Sequence, residues 1–245
     1  NMLTGGTQDK TFRSVDKILY EKLAWKDPDA YFKTQHHRTK WDGYHRLYRT
    51  EDHAAPVGLI DRATRALEQE GYTVSVQESD VCGDRFNFGW NFAHSLRDYQ
   101  VEAVSNTIEQ GGGIISIPTG GGKTVVAMNL IQYAGQRAIV FVHTQELLYQ
   151  WADRISDVLG VEPGMIGDDN WSEGPVTVAT MQTLYERGTD LLEEDYGMAI
   201  FDECHVTSAA ETMQSVGLSI EVEWRIGLSA TPWRRTPGEE MEIEA

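Results

Sequence analysis

Lys123 and Thr124 stand directly behind three consecutive glycines in the segment Ile117-Pro118-Thr119-Gly120-Gly121-Gly122-Lys123-Thr124. Glycines let the backbone turn tightly and aim successive N–H groups inward, and a helix that starts there presents its positive end. Such a segment suits a polyphosphate. Lys123 is expected to reach the outer phosphates, and the Thr124 hydroxyl to ligate Mg²⁺. The strict form of this loop has another glycine five positions before Gly122, where this chain has Ile117. Alone, the segment also fits a plain glycine-rich turn between strand and helix. Further on, Ala199-Ile200-Phe201 runs into Asp202-Glu203-Cys204-His205. An apolar strand ending in two carboxylates supplies the second half of a phosphate site. Asp202 would hold Mg²⁺, directly or through water, and Glu203 would orient and deprotonate an attacking water. Ser229 and Thr231, near the end of a later apolar stretch, can bridge toward Asp202, Glu203 or His205. The alternative is a capped turn before Pro232.

The elements that must position these residues follow from periodicity. Apolar stretches at Gly113–Ile117, Ala138–Val142, Val176–Ala179, Met198–Phe201 and Arg225–Leu228 are separated by helical segments. Short buried strands with crossover helices predict an α/β fold, a parallel sheet flanked by helices with its ligand at the strands' carboxyl ends. Residues 1–88 read as a separate small α+β domain. Val15, Ile18, Leu19 and Leu23 recur at helical spacing, Tyr44 to Tyr48 predicts a short strand, and a helix is expected from Pro56 to Glu70 with Gly71 ending it. Tyr72, Val74 and Val76 alternate with polar residues, as in a half-buried strand. Asp80 to Asn91 reads as a linker whose Phe86, Phe88 and Trp90, with Phe92 beyond, dock on the following domain, residues 89–245.

Composition bounds the function. No apolar run approaches membrane-spanning length and no charged-then-apolar leader opens the chain, so neither a membrane partner nor secretion is expected. Two cysteines, Cys82 and Cys204, cannot build a disulfide framework, which predicts a reducing, cytoplasmic setting. The histidines lack partners at zinc spacing. The net charge of −17 is unevenly spread: residues 1–65 sum to +3 and residues 66–245 to −20, and six of the seven lysines precede residue 41. The basic end is where a phosphate backbone would be met. There, Lys40-Trp41-Asp42-Gly43-Tyr44-His45-Arg46 has two readings. Trp41 and Arg46 contact nucleic acid, or Trp41 and Tyr44 pack a small hairpin core. The acidic remainder, nearly devoid of lysine, reads as the solvated surface of a halophile, or as acidity that confines polyanions to one face.

Together these motifs carry a resemblance to the superfamily-2 helicases, over Ser95 to about Arg234. Leu96-Arg97-Asp98-Tyr99-Gln100 resembles the adenine-reading motif, which implies that Gln100 hydrogen-bonds the base with Arg97 nearby. The segment from Ile117 to Thr124 is similar to motif I in its superfamily-2 form, which lacks the first glycine, and implies ATP contacts from Thr119 through Thr124. Val142 to Trp151 and Val176 to Leu184 are similar to motif Ia and the segment after it. Thr144 and Thr180 match the residues that meet the strand backbone. Asp202-Glu203-Cys204-His205 resembles motif II, adding His205 to the catalytic set. Ser229-Ala230-Thr231 resembles motif III, which links hydrolysis to strand movement. The wording is similar to the UvsW-type and XPB-type DNA helicases rather than to the Asp-Glu-Ala-Asp RNA branch. The resemblance implies a RecA-like lobe, ATP and Mg²⁺ as cofactors, and DNA as partner.

That family also requires a second RecA-like lobe, whose arginines complete the ATP site. Arg234 and Arg235 lie too close to motif III for that role, so the chain is expected to be the N-terminal portion of a longer motor. Two other readings stand beside a helicase: the motor subunit of a restriction–modification enzyme, distinguished by a nuclease domain, and a non-catalytic nucleic-acid-binding fragment. The charge reading is tested by thermal melts at low and molar KCl. A halophile surface predicts a midpoint that rises with salt as self-repulsion is screened, and equal midpoints exclude it.

Overall fold

The computed structural model describes residues 10–26, 42–51, 53–55, 59–77, 85–91, 95–204, 216–217 and 219–231. The chain divides into two compact units, one within residues 1–79 and one spanning Asp80–Pro232.

In the first unit, α1 (Lys10–Lys22) and α2 (Ile60–Gln69) pack through Leu19, Leu23, Leu59 and Ala63, with Leu47, Tyr48 and Ala55 closing the cluster. These buried positions recur at helical spacing, giving each helix one apolar stripe. Strands β1 (Ala24–Lys26) and β2 (Tyr44–Arg46) pair antiparallel, with Trp25 opposite His45 and their rings stacked at 4.5 Å. Asp16 joins the helix to the following loop: its carboxylate accepts from the Tyr48 hydroxyl and lies 2.9 Å from His53 Nδ1. Helix α2 begins at Ile60 with Leu59 before it, and Pro56 lies outside the described residues. Gly71, at φ 87°, turns the chain out of α2 as expected. The expected strand at Tyr72–Val76 is not formed: residues 72–77 are irregular and Val76 is 48% exposed. Alternation makes a strand only where a neighbouring edge accepts its backbone bonds, and this segment pairs with no described strand.

The second unit is a mixed α/β layer structure with the predicted RecA-like architecture. Helix α3 (Asp98–Gln110) leads into β3 (Gly112–Ser116), α4 (Lys123–Ala134), β4 (Ala138–Val142), α5 (Gln145–Leu159), β5 (Gly164–Gly167), β6 (Asn170–Ser172), β7 (Val176–Thr180), α6 (Met181–Arg187), β8 (Met198–Asp202) and β9 (Trp224–Ser229). The sheet order is β3-β9-β8-β4-β7-β5-β6, and every pairing is parallel except β5 with β6. Strands β4, β7 and β8 are buried at every position. Their Val, Ile and Phe runs therefore fill both faces of a covered parallel sheet. The five expected strands form within a residue or so of the expected bounds. The β5–β6 hairpin was not foreseen, because Gly164-Met165-Ile166-Gly167 and Asn170-Trp171-Ser172 are short and carry no apolar run. Its turn places Asp168 and Asp169 at φ 51° and 61°, the left-handed pair that a two-residue hairpin uses.

The segment before α3 belongs to this unit. Phe86, Gly89 and Asn91 N–H groups donate to Gly135, Leu159 and Val158 carbonyls, and Phe88 is buried in the core with Phe86 and Trp90 against it. The docking expected of these aromatics is therefore present; Phe92 lies outside the described residues.

Helix α5 covers the centre of the sheet through Leu148, Trp151, Ile155 and Leu159. Ile155 is 0% exposed, so Ile155→Ala leaves a cavity and is expected to lower unfolding free energy by about 2–5 kcal/mol. Urea denaturation should show a lower midpoint with an unchanged slope, and an unchanged midpoint would contradict this packing.

Candidate nucleotide site and strand-facing edge

Parallel strands deliver their carboxyl ends to one edge of the sheet, and β3, β9 and β8 are neighbours there. Ser116 faces Ser229 in the register, and Asp202 faces Leu228. Residues 117–124 leave β3 at this edge, so the glycine loop, the carboxylate pair and Ser229 converge although sequence separates them widely.

The loop's shape depends on its glycines. Gly120 and Gly122 adopt φ 76° and 86°. A Cβ on Gly121 would lie 2.5 Å from Ile117 Cγ2, and one on Gly122 would lie 2.4 Å from Gln100 Nε2. Ile117, at the position of the missing glycine, is buried and donates its N–H to the Ser229 carbonyl at 3.1 Å. The loop ends at the start of α4, with Gly122 as N-cap and Lys123 and Thr124 in the first turn. The first N–H groups of a helix have no partner inside it, so this end offers donors and positive potential. Thr119 and Gly120 are exposed beside it.

Lys123 Nζ donates to Glu203 Oε1 at 2.7 Å, with the two side chains 10% and 30% exposed. Glu203 follows β8 in the left-handed region at φ 49°, and Cys204 N–H is tied to the Leu228 carbonyl at 3.1 Å. Holding a non-glycine residue there costs about 1–2 kcal/mol. The turn directs the Glu203 side chain to Lys123 instead of along the strand. Asp202 is buried. Its Oδ2 accepts from Trp151 Nε1 at 2.8 Å and its Oδ1 from the Glu203 N–H at 3.0 Å. Burial raises the Asp202 carboxyl above the usual range; the Trp151 bond pulls it down, the Glu203 charge raises it, and the Lys123 charge lowers it.

Around the loop, Gln100 Nε2 and the Tyr99 hydroxyl donate to the Gly121 carbonyl at 2.9 and 2.7 Å. Gln100 Oε1 accepts from the Arg97 N–H at 2.9 Å, and the Arg97 guanidinium donates to Tyr99 at 3.0 Å. The Gln100 amide is thus engaged with protein at both ends in this structure. Ser229 is fully buried, its hydroxyl accepting from Thr231 N–H at 3.0 Å, while Thr231 is exposed. His205 lies outside the described residues.

The expected nucleic-acid residues sit elsewhere. Thr144 caps α5, accepting from Leu147 N–H at 3.2 Å, and is exposed. Thr180 ends β7, where it faces Val142 of β4, but it is buried with its hydroxyl on Thr183 at 2.7 Å. The two threonines therefore lie near each other at the carboxyl edge, beyond the carboxylate pair. In the first unit, the Arg46 guanidinium donates to Asp42 at 2.9 Å and lies over the Tyr20 ring at 4.5 Å, while Trp41 is outside the described residues. The Arg46 bond holds the Asp42 carboxyl down at about 2. Sequence reasoning missed Trp151 and Tyr99, and also His143, whose Nε2 is 3.3 Å from the Glu203 carbonyl. Helical spacing hides Trp151, since a buried tryptophan on an amphipathic helix reads as core.

One cation, a glycine cradle at a helix start and two carboxylates form a donor set that fits a polyphosphate with a divalent cation. The family model for "Type III restriction enzyme, res subunit" (ResIII) matches residues 93–234. The chain belongs to the ResIII family. Among relatives, a DNA 3'-5' translocase XPB2 of Sulfurisphaera tokodaii is 38% identical over 144 residues, covering 57% of this chain and 31% of the relative. A putative DNA 3'-5' helicase Rad25 of Haloarcula marismortui is 30% identical over 181 residues, covering 72% of this chain and 28% of the relative. The crystal structure of the UvsW helicase from bacteriophage T4 superposes with a TM-score of 0.78 at 19% identity, over 99% of this chain and 93% of that one, which is a likeness of fold. This ResIII chain spans about a third or less of the length of these two curated relatives. The superfamily-2 helicase resemblance, with its UvsW-type and XPB-type wording, is borne out.

In Mg²⁺-free buffer the Asp202 carboxyl of this ResIII lobe should titrate above the ordinary aspartate value of about 3.9. The folded state then holds that proton more tightly than the unfolded chain. Asp202 therefore favours folding most at low pH, and the benefit is lost as pH rises through the folded midpoint. A carboxyl-carbon NMR titration reads it, and a midpoint at or below the ordinary value would show that its donors outweigh burial.

Proposed function

We propose that this chain is the front part of an ATP-dependent DNA helicase or translocase, one that couples hydrolysis to movement on, or remodelling of, branched duplex DNA. Lys123 meeting Glu203 beside Asp202, at the end of a glycine loop, is the observation that carries this reading. Bound ATP with Mg²⁺ supplies the phosphoanhydride to be split and the charge that neutralises it. The chain's own residues divide the remaining work. Thr119 through Lys123 and the start of α4 hold the phosphates, with the Lys123 ammonium turning from Glu203 to an outer phosphate. Thr124 and Asp202 bind Mg²⁺. Among the described residues no three His, Cys, Asp or Glu side chains converge to hold a metal by themselves, which accords with a Mg²⁺ completed by phosphate oxygens. Glu203, released from Lys123, accepts the proton of the attacking water, with His205 two positions further on.

Arg97 and Gln100 read the base, and Gln100 exchanges its bond to Gly121 for one to the nucleotide. Ser229 is suited to coupling because its strand separates the glycine loop from the carboxylates, with Thr231 completing the link. Thr144 and Thr180 line the strand track. Residues 1–88 are read as the DNA-binding domain, where Arg46 must leave Asp42 to meet phosphate, with Trp41 alongside, and residues 89–245 as the first lobe, although the second unit begins at Asp80 and Phe86 and Phe88 pack with it. A second RecA-like lobe closes over both sites, and without it binding and turnover are weak. Among the described residues no helix is long and apolar enough to cross a membrane, and we place the motor in the cytoplasm. The acidic surface of residues 66–245 and the haloarchaeal relative support a salt-adapted protein, and the translocase and helicase relatives support a role in DNA repair.

The family's own description favours a second reading, the motor subunit of a restriction enzyme, which a linked nuclease activity would reveal. In the protein with both lobes, Lys123→Ala is expected to reduce DNA-stimulated ATP hydrolysis at least about a hundredfold, the scale on which one charged transition-state contact acts. Phosphate release with and without branched DNA measures it. Turnover that survives in Lys123→Ala contradicts the assignment.

A further inference from the structure

We propose that Trp151 is a positioning residue for Asp202, and that its indole N–H fixes the direction in which that carboxylate faces the divalent cation of the nucleotide. The inference rests on the metal-holding role proposed above for Asp202. Trp151 is 2% exposed and Asp202 8%, so their 2.8 Å bond is made out of reach of solvent. The last side-chain torsion of an aspartate is broad and nearly two-fold, and a carboxylate at a strand end does not orient itself. Here both oxygens are claimed. Oδ1 takes the Glu203 N–H from the backbone side, and Oδ2 takes the indole from helix α5.

Each oxygen accepts one bond and keeps a second lone-pair direction, so the carboxylate is held without being used up. The indole is itself held on α5 between buried Leu148 and Ile155, each within one turn of it, and a planar ring with two torsions is a stiff donor. A core tryptophan needs a partner for its N–H, and packing alone would not aim that N–H at the one carboxylate oxygen the backbone leaves open. Phenylalanine at 151 would keep most of the packing and leave Oδ2 with no donor in a buried place. The carboxylate would then rotate toward whatever donor it finds. Groups that orient metal-holding side chains typically change metal affinity about ten- to a hundredfold when removed.

The test uses the protein with both lobes and an environment-sensitive fluorescent ATP analogue, titrated in Mg²⁺ and in EDTA, with the ratio of the two affinities as readout. Trp151→Phe is compared with a chain carrying benzothienylalanine at 151, a tryptophan isostere with sulfur in place of the N–H. The isostere preserves shape, so it remains informative if the phenylalanine variant folds poorly. In both, the gain in affinity from Mg²⁺ should fall about tenfold while affinity in EDTA stays within about twofold of the parent. A structural role alone would weaken both conditions together. Full retention of the Mg²⁺ gain by the isostere overturns the proposal, whatever phenylalanine does. Asp202→Ala separates the two ideas. If it loses the gain while the Trp151 replacements keep it, only the positioning role fails. If it keeps the gain, or the parent has none, the metal-holding role of Asp202 fails and the positioning role with it.

Discussion

An ammonium and a carboxylate that lie 80 positions apart in the chain meet at 2.7 Å, and the rest of the second unit is arranged so that they can. Neither partner arrives there by local preference. Lys123 needs a loop that reverses within a few residues, which Gly120 and Gly122 make possible at φ 76° and 86°. Glu203 needs to leave its strand sideways, which it does only by taking a left-handed conformation. Above both stands the sheet order: β9 lies between β3 and β8, setting the two termini about two strand spacings apart, roughly 10 Å. That separation is spanned by a lysine reaching from one side and a glutamate from the other. With Lys123 10% and Glu203 30% exposed, the pair is largely buried, and the cost of desolvating its charges offsets much of their attraction. Exchanging it for a phosphate therefore sacrifices little of the fold.

Much of this was legible because the signals are covalent neighbours. The glycine loop and the carboxylate pair are each contiguous, and each follows a buried strand whose unbroken apolar run announces itself. Ile117 looked like a departure in sequence. In the structure it is a buried anchor whose Cγ2 lies against the backbone of Gly121, at a position with no need of a positive φ. What stayed hidden are contacts between segments that sequence does not link. Tyr99 and Gln100 grip the Gly121 carbonyl from α3, and nothing in their own spacing names that target. The β5–β6 hairpin was hidden for another reason, since its identity lies in the backbone of two aspartates. The alternation at Tyr72–Val76 erred in the opposite sense: period two reports which face would be buried, and it is silent on whether an edge exists to pair with.

Charge divides the chain at a different place from packing: residues 1–79 hold 12 basic and 12 acidic side chains, so the positive excess is confined to the start of the first unit. Residues 1–65 carry a small positive excess while residues 66–245 are strongly acidic. Yet even in the basic part Arg46 is bound by Asp42 and stacked on Tyr20, so local pairing tempers its field. On the acidic unit, a polyanion is attracted only where donors are concentrated, as at the start of α4. Elsewhere Asp168 and Asp169 project at the hairpin turn and repel it. Acidity over most of a surface thus narrows where phosphate can settle, and high salt would blunt that selectivity while easing self-repulsion.

Helix α5 ties these observations together physically. Its first residue is capped by Thr144, at the edge where β4 and β7 end. Two turns later its Trp151 holds the Asp202 carboxylate, while His143, just before the cap, reaches the Glu203 carbonyl. One packed helix therefore touches Asp202 near its middle, while the residue just before its cap touches Glu203. A helix with Leu148, Ile155 and Leu159 fully buried cannot bend to satisfy one contact and ignore the other. A displacement at its capped end must be carried to Asp202 as a rigid-body motion, through a single 2.8 Å bond. Thr144 at the cap and Trp151 on Asp202 are thus borne by one helix, with no intervening loop between them.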